Sequence, residues 1–225
     1  MRIGLISDVH SNAPALEEVL YYLEDVGVDK IVHAGDIIGY NPFPNEVINL
    51  MNRHKVESIR GNHEIIYLTE DVSKASHAAE RALQWTKGVL TENNRRYIAS
   101  LDDTLRFKVG EVSISVYHGS PADPWEYVEA VRATSELLEK AGTDILVLGH
   151  THKPFVRPLT AGMIVNPGAV GQPRDRDPRT SLAILDPEKM EATIKRLTYD
   201  IERVRSKIEE EGLPRILGER LKIGK

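Results

Sequence analysis

Cysteine is absent from this chain, and the absence removes several chemistries at once. It excludes disulfides, thiolate zinc sites and cysteine nucleophiles, and it suits a reducing compartment. Also lacking is any apolar run near the ~20 residues that a membrane-spanning helix needs. The opening Met1-Arg2-Ile3-Gly4-Leu5-Ile6 reaches Asp8 too soon for the apolar stretch of a signal peptide, so a cytoplasmic location is expected. Positive charge is not in excess either. The 29 Lys and Arg against 34 Asp and Glu leave a net charge of −5, so no global positive field attracts nucleic acid. Arg174, Arg176 and Arg179 leave room for a local basic patch. Internal repeats and low-complexity tracts are missing. The 225 residues suffice for one large core and are too few for two ordinary domains plus a linker. One domain over residues 1–225 is expected.

What is present is an alternation of strand-like and helix-like segments. Apolar runs at Ile3 to Ile6, Ile31 to Ala34 and Val56 to Ile59 read as strands. Between the first two, Leu16, Val19, Leu20 and Leu23 fall at helical spacing, with Asn12 placed to cap and Pro14 in the first turn. Pro44 opens a second helix carrying Val47, Ile48 and Leu50. This βαβαβ order predicts parallel strands with right-handed crossovers. Residues 73–100 read as an amphipathic helical insertion, placed either as a cap over a site or as simple packing on the sheet. Leu105 to Val109 and Val112 to Tyr117 flank Gly110-Glu111 as a tight hairpin. A helix is expected from Asp123-Pro124 to about Lys140. Beyond it come strand-like runs at Ile145 to Leu148, Met163 to Val165, Ser181 to Leu185 and Ala192 to Leu197. A charged helical tail from Tyr199 to Leu221 is interrupted at Gly212-Leu213-Pro214.

Five of the apolar runs end in clusters of polar ligand types: Asp8-Val9-His10, Gly35-Asp36, Gly61-Asn62-His63-Glu64, His118-Gly119 and Gly149-His150-Thr151-His152. The carboxyl ends of neighbouring strands form the ligand crevice of an α/β sheet. Each cluster alone is ordinary, since an aspartate there often caps a helix and a histidine there is often structural. Asp8 and His10, like His150 and His152, are two residues apart, which puts each pair on one face of an extended backbone. Two carboxylates, one amide and four imidazoles converging on that edge describe a pair of divalent cations, and hence a hydrolase.

In these motifs and their order the chain resembles the calcineurin-like metallophosphoesterases across almost its whole length. Gly39-Tyr40-Asn41-Pro42, Asn166-Pro167-Gly168 and the ending around Gly212-Leu213-Pro214 are similar to the small, single-domain prokaryotic branch. The resemblance implies a four-layer α/β sandwich, with two mixed β-sheets facing each other and helices on both outer sides. It implies one metal held by Asp8, His10, Asp36 and His152, a second held by Asp36, Asn62, His118 and His150, and Asp36 bridging the two. Nitrogen and oxygen donors suit manganese, iron, zinc, cobalt or nickel, with manganese the favoured activator. Two such cations acidify a bridging water for in-line attack on a phosphoryl group and clamp its oxygens. By the same resemblance His63 is the general acid and Glu64 orients a neighbouring group. The implied substrate is a small phosphate ester.

Two departures from the wider superfamily narrow that substrate. Protein phosphatases resembling this chain carry an acidic residue and an arginine shortly after the bridging aspartate, where this chain has Gly39 and Tyr40. Hydrolysis of phosphodiesters is therefore expected over dephosphorylation of proteins. Many small phosphodiesterases have cysteine where this chain has His63, so the histidine argues for a working catalyst. Arg174 either neutralises substrate phosphate or is a solvated surface residue. Tyr40 and Asn41 either line the pocket mouth or brace their loop. His33 is expected beneath the sheet edge, and His54 and His77 on the surface. The rival readings are a dinucleoside polyphosphate hydrolase or a phosphoprotein phosphatase, then a non-catalytic scaffold such as the retromer subunit of this fold, then a dinuclear amidohydrolase, which the ligand order disfavours.

Overall fold

A computed structural model describes residues 1–225. Strands β1 (Ile3–Ile6), β2 (Lys30–His33) and β3 (Glu57–Ser58) are parallel, joined by helices α1 (Ala13–Asp25) and α2 (Pro44–Arg53). The Asn12 side chain accepts from the Ala15 N–H to start α1, and Pro44 starts α2. β9 (Thr180–Asp186) adds antiparallel to β1, and β10 (Glu191–Leu197) to β9, giving the order β10-β9-β1-β2-β3. The second sheet runs β4-β5-β6-β8-β7, from β4 (Leu105–Val109), β5 (Val112–Val116), β6 (Ile145–Val147), β7 (Phe155–Leu159) and β8 (Gly162–Asn166). β5, β6 and β8 are parallel, while the hairpin strand β4 and the edge strand β7 are antiparallel to their neighbours.

Alternation of side chains along the strands makes the layers. Ile3, Leu5, Val32 and Ala34 of the first sheet share one buried cluster with Ile114, Val116, Ile145, Val147 and Val165 of the second, so the sheets pack face to face. Ile6 points the other way, into a larger cluster with Leu16, Val19, Val47, Ile48, Leu83, Ile98, Val204 and Leu217. That cluster joins the first sheet to α1, α2, α4 (His77–Val89), α5 (Glu92–Ser100), α7 (Ile201–Glu210) and α8 (Arg215–Ile223). Leu146 and Ile164 face outward from the second sheet onto Leu138 and Ala141 of α6 (Ser135–Ala141). With strands buried on both faces, continuous apolar runs follow. The result is a four-layer α/β sandwich of two mixed five-stranded sheets flanked by helices. No helix is long and apolar enough to cross a membrane.

Several expected elements differ. The helix predicted from Asp123 to Lys140 is mostly loop. Asp123 accepts the Trp125 N–H through its own side chain, one 3₁₀ turn spans Ala130–Arg132, and α6 starts only after Thr134, which caps Leu137 N. The helical stretch over residues 73–100 is two helices, capped separately by Ser76 and Thr91. Ala79, Ala82 and Leu83 pack into the large cluster. β3 is short because the chain leaves the sheet at Ile59, which bridges Asp102 instead. β7 has no counterpart in the sequence reading. It contains Pro158, and an edge strand is where a sheet tolerates proline.

Candidate metal centre

All five ligand clusters arrive at the carboxyl ends of β1, β2, β3, β5 and β6. They do not arrive on extended backbone. Asp8, His10, Asp36, His150 and His152 have φ of 52°, 45°, 63°, 65° and 58°. Side-chain pairs two apart therefore converge through left-handed turns, correcting the one-face expectation. Such conformations cost roughly 1–3 kcal/mol each and persist only where the surroundings over-determine them. Here main-chain bonds do so: Asp8 N donates to Gly35 O, His10 N to Asp36 O, and Gly171 N to Asp8 O.

The side chains meet in two groups that share Asp36. Ligand atoms of Asp8, His10, Asp36 and His152 lie within 4.8 Å of one another, and so do those of Asp36, His118 and His150. Asp36 Oδ2 stands 3.6 Å from His10 Nε2 and 3.3 Å from His118 Nε2. Asn62 Oδ1 is 2.9 Å from His118 Nε2, which adds the amide to the second group. All seven residues are buried.

Each imidazole is oriented by a carbonyl on its far side. His10 Nδ1 bonds Ile38 O at 3.1 Å, His118 Nδ1 bonds Ala34 O at 2.8 Å, and His152 Nδ1 bonds Gln172 O at 2.5 Å. His150 is turned the other way, with Nε2 on Trp125 O at 3.2 Å. A carbonyl only accepts, so it fixes the proton on the far nitrogen and leaves the inner nitrogen as a lone pair, the usual outer support of a metal-binding histidine. The inner nitrogens of His10 and His152 then face each other at 3.2 Å, and Asp8 Oδ1 is buried with no hydrogen-bond partner. Lone pair against lone pair beside an orphaned carboxylate oxygen is unfavourable unless a cation stands among them. The donor set fits divalent metal.

Electrostatics agree. Burial pushes His10 and His152 well below the ordinary imidazole range and His150 down to about 3, so all three present neutral donors. Burial also opposes charge on His118. The Asp36 carboxylate, its hydrogen bond and Asp8 outweigh it and raise His118 to about 9. A cation held there would displace that proton. Burial, then the Asp36 charge, lifts Glu64 to about 7. Glu64 accepts from Asp36 N, Gly61 N and Ile38 N, and so ties α3 (Asn62–Thr69) to the loop after β2. Gly61 admits no side chain there, because a Cβ would lie 2.2 Å from Asp36 Oδ1.

A cavity of about 590 Å³ opens over this centre, lined among others by Tyr40, Asn62, His63, Trp125, His150 and Arg174. His63 N donates to Asp36 Oδ1, while its ring packs against both His10 and Tyr40, the three centroids standing 4.6 Å from one another. Its Nδ1 is buried without a partner, and burial holds the imidazole down to about 4. Arg174 Nη2 donates to the Tyr40 hydroxyl at 3.2 Å and to Gln172 Oε1 at 3.0 Å. Asn41 is not at the mouth. It is buried, with its amide donating to His10 O at 2.8 Å, and so braces the loop. Asn166 turns inward likewise, accepting from Gly168 N. His33 is buried against Ser58, His54 is half-buried, and His77 is exposed.

Sequence reasoning missed Gln172, whose carbonyl orients His152 and whose side chain holds Arg174. It also missed Trp125, whose carbonyl orients His150, and Tyr127, stacked on the His150 ring at 4.1 Å. Backbone carbonyls leave no mark in a sequence, and these aromatics sit in the stretch expected to be helical.

Residues 1–190 match the family model of the calcineurin-like phosphoesterase superfamily domain. A metallophosphoesterase of Sphaerobacter thermophilus is 36% identical in its crystal structure, with a TM-score of 0.83 over 100% of this chain and 99% of that one. The uncharacterized protein MJ0912 of Methanocaldococcus jannaschii is 32% identical over 99% of this chain and 98% of its own. The phosphodiesterase YfcE of Escherichia coli is 26% identical over 83% of this chain and 88% of its own. Together with the buried Asp and His groups sharing Asp36, these likenesses establish that the chain belongs to the calcineurin-like phosphoesterase superfamily, as a metal-dependent phosphoester hydrolase.

Proposed function

We propose that the protein hydrolyses phosphodiester bonds in small substrates at a dinuclear metal centre. Asp8, His10, Asp36 and His152 would hold one cation, and Asp36, Asn62, His118 and His150 the other. Manganese is the favoured occupant, and iron, zinc, cobalt and nickel suit the same nitrogen and oxygen donors. When bound, such a pair supplies an acidified water and neutralises charge on the phosphoryl oxygens. The chain's own residues do the rest. Asp36 accepts the His63 N–H and so sets where α3 begins relative to the metals. Tyr40 and Gln172 hold the Arg174 guanidinium at the cavity, where it meets a phosphoryl oxygen. His63 faces the same cavity and acts on the leaving oxygen. It meets the substrate as a neutral imidazole, and an entering phosphoryl anion raises its affinity for a proton. We read residues 1–225 as one catalytic domain, with the helices over 73–100 as its cap, because Lys74, Ala75, Ser76 and Ala79 line the cavity.

The observation that carries the diester reading is at Gly39. A side chain there would stand 2.2 Å from His63 Nδ1, yet the position is glycine, so it offers the ring no carboxylate and Nδ1 is left without a partner. The superfamily's protein phosphatases have such a carboxylate after the bridging aspartate, together with an arginine where this chain has Tyr40. A monoester dianion is thus less well matched than a diester monoanion. The relative named as a phosphodiesterase supports the same choice. Parallel assays of the manganese-loaded protein on bis(p-nitrophenyl) phosphate and p-nitrophenyl phosphate test it. A kcat/KM at least ~10-fold higher on the diester is expected, a difference of 1.4 kcal/mol in the barrier, and preference for the monoester would refute it.

A further inference from the structure

We propose that the outer part of this cavity is a second anion subsite, formed by Lys74, Arg220 and Lys225, that binds a further phosphate carried by the substrate. The inference rests on phosphoester hydrolysis at the centre below it.

Four residues of cationic type, Lys74, Arg174, Arg220 and Lys225, are among those lining the cavity, and no Asp or Glu is. The surrounding chain has a net charge of −5, so the accumulation runs against composition. Of the cations on the same segments, Lys222 pairs with Glu202 and Arg179 pairs with Asp177, while Arg176 is in no ion pair. The four at the cavity take part in none of the ion pairs of the structure. A diester carries one negative charge, and Arg174 is placed to meet it. Three further cations around the same space repel one another unless an anion joins them, and a concave wall strengthens the field they make.

Their positions are built by three separate segments. Lys74 Nζ sits 4.8 Å over the Trp125 ring. The last turn of α8 is docked onto the loop that carries Arg174: Arg176 N donates to Gly224 O at 2.8 Å, and Lys225 N to Arg220 O at 3.2 Å. Gly224, at φ +59°, makes this possible, since a Cβ there would lie 2.6 Å from the Asp177 backbone. Arg220 and Lys225 fall beyond residue 190, where the family match ends. The first turn of α4 lines the same space and adds the positive end of its dipole. The cavity volume of about 590 Å³ lies within the range of sites for nucleotide-sized ligands. Several donors of both Arg and Lys type match a phosphate better than a single carboxylate.

Calorimetric titration of the protein with ADP and with AMP, manganese held in excess, tests the subsite without reference to turnover. ADP should bind at least ~10-fold more tightly than AMP, the effect of one weak charge-assisted hydrogen bond. Lys74→Ala and Arg220→Ala should each lower that ratio several-fold, their combination should bring it near one, and Arg220→Lys should keep most of it. AMP affinity in each variant reports whether the fold and centre survive, and Lys74 lies on a different element from Arg220 should α8 be disturbed. A ratio near one in the wild type, or an unchanged ratio in both single variants, overturns the subsite. If the ratio behaves as expected while no diester is hydrolysed, the subsite stands and the diesterase reading falls.

Discussion

Gly39→Ala should damage catalysis without touching any metal ligand. The alanine Cβ would fall 2.2 Å from His63 Nδ1 and 2.9 Å from Cε1. Ordinary contact needs about 3.5 Å, so the ring must retreat by roughly 1 Å. The ring is buried and packs against both His10 and Tyr40 at centroid distances of 4.6 Å, so a retreat disturbs those contacts as well. A misplacement of about 1 Å at a reacting group can cost ~10²-fold in rate. Gly39 also sits at φ +92°, where an L side chain is strained by ~1–2 kcal/mol, which lowers Tm by about 2–8 °C in a chain of this size. The assay is kcat on a diester with a poor leaving group, beside metal content by elemental analysis and a thermal melt. We expect kcat down ~10²-fold, metal content unchanged and a modest fall in Tm. Because both changes act through one imidazole, Gly39→Ala on top of His63→Ala should add little. A Gly39→Ala protein with full metal and kcat within about threefold of wild type would refute the placement of His63 in the reaction.

His63→Ala should itself lower turnover by ~10²–10⁴-fold on poor leaving groups and by much less on nitrophenolate, if it gives a proton to the leaving oxygen. A deficit that ignores leaving-group basicity would assign His63 to positioning phosphate. Asp36→Asn should remove both metals together, whereas Asp8→Ala or His118→Ala should empty one site first. Elemental analysis showing both metals retained in Asp36→Asn would contradict the bridge. In chelator, stability should rise with pH up to about 6.5, the ordinary imidazole value. Burial holds His33, His63 and His150 to about 3, 4 and 3 and lowers His10 and His152, so the unfolded chain binds protons the fold refuses. These five outnumber Asp8 and Glu64, which burial raises to about 7 and which pull the other way. Above 6.5 those two carboxyls, together with His118 at about 9, make the folded state the better proton binder, so stability should fall. Urea melts across pH 4.5–9 that rise monotonically would contradict this.

The residues that meet in the candidate metal centre were legible in the sequence because each lies where an apolar run closes, and strand ends gather at one edge whatever the intervening loops do. The first three strands with their helices, the 105–116 hairpin and both C-terminal helices were legible for the same local reasons. How the ligands converge was not. Spacing of two suggests extended backbone, whereas Asp8, His10, His150 and His152 turn through positive φ, held by hydrogen bonds to distant segments, for His150 from its N–H to the Asp8 carboxylate. At Asp123-Pro124 one local signal displaced another: an aspartate that could cap a helix instead closes a turn onto Trp125 N. The roles of Gln172, Trp125 and Ile38 lie in carbonyl oxygens that every residue type shares. Arg220 and Lys225 are ordinary members of a charged helical tail until the fold brings them to the cavity.

The account stands most directly on how many cations the protein binds. Elemental analysis of wild-type protein, reconstituted with manganese and freed of excess, should give two metal ions per chain, with diester hydrolysis lost in chelator and restored by the metal. One ion or none at full activity, or activity that survives chelation, would contradict it.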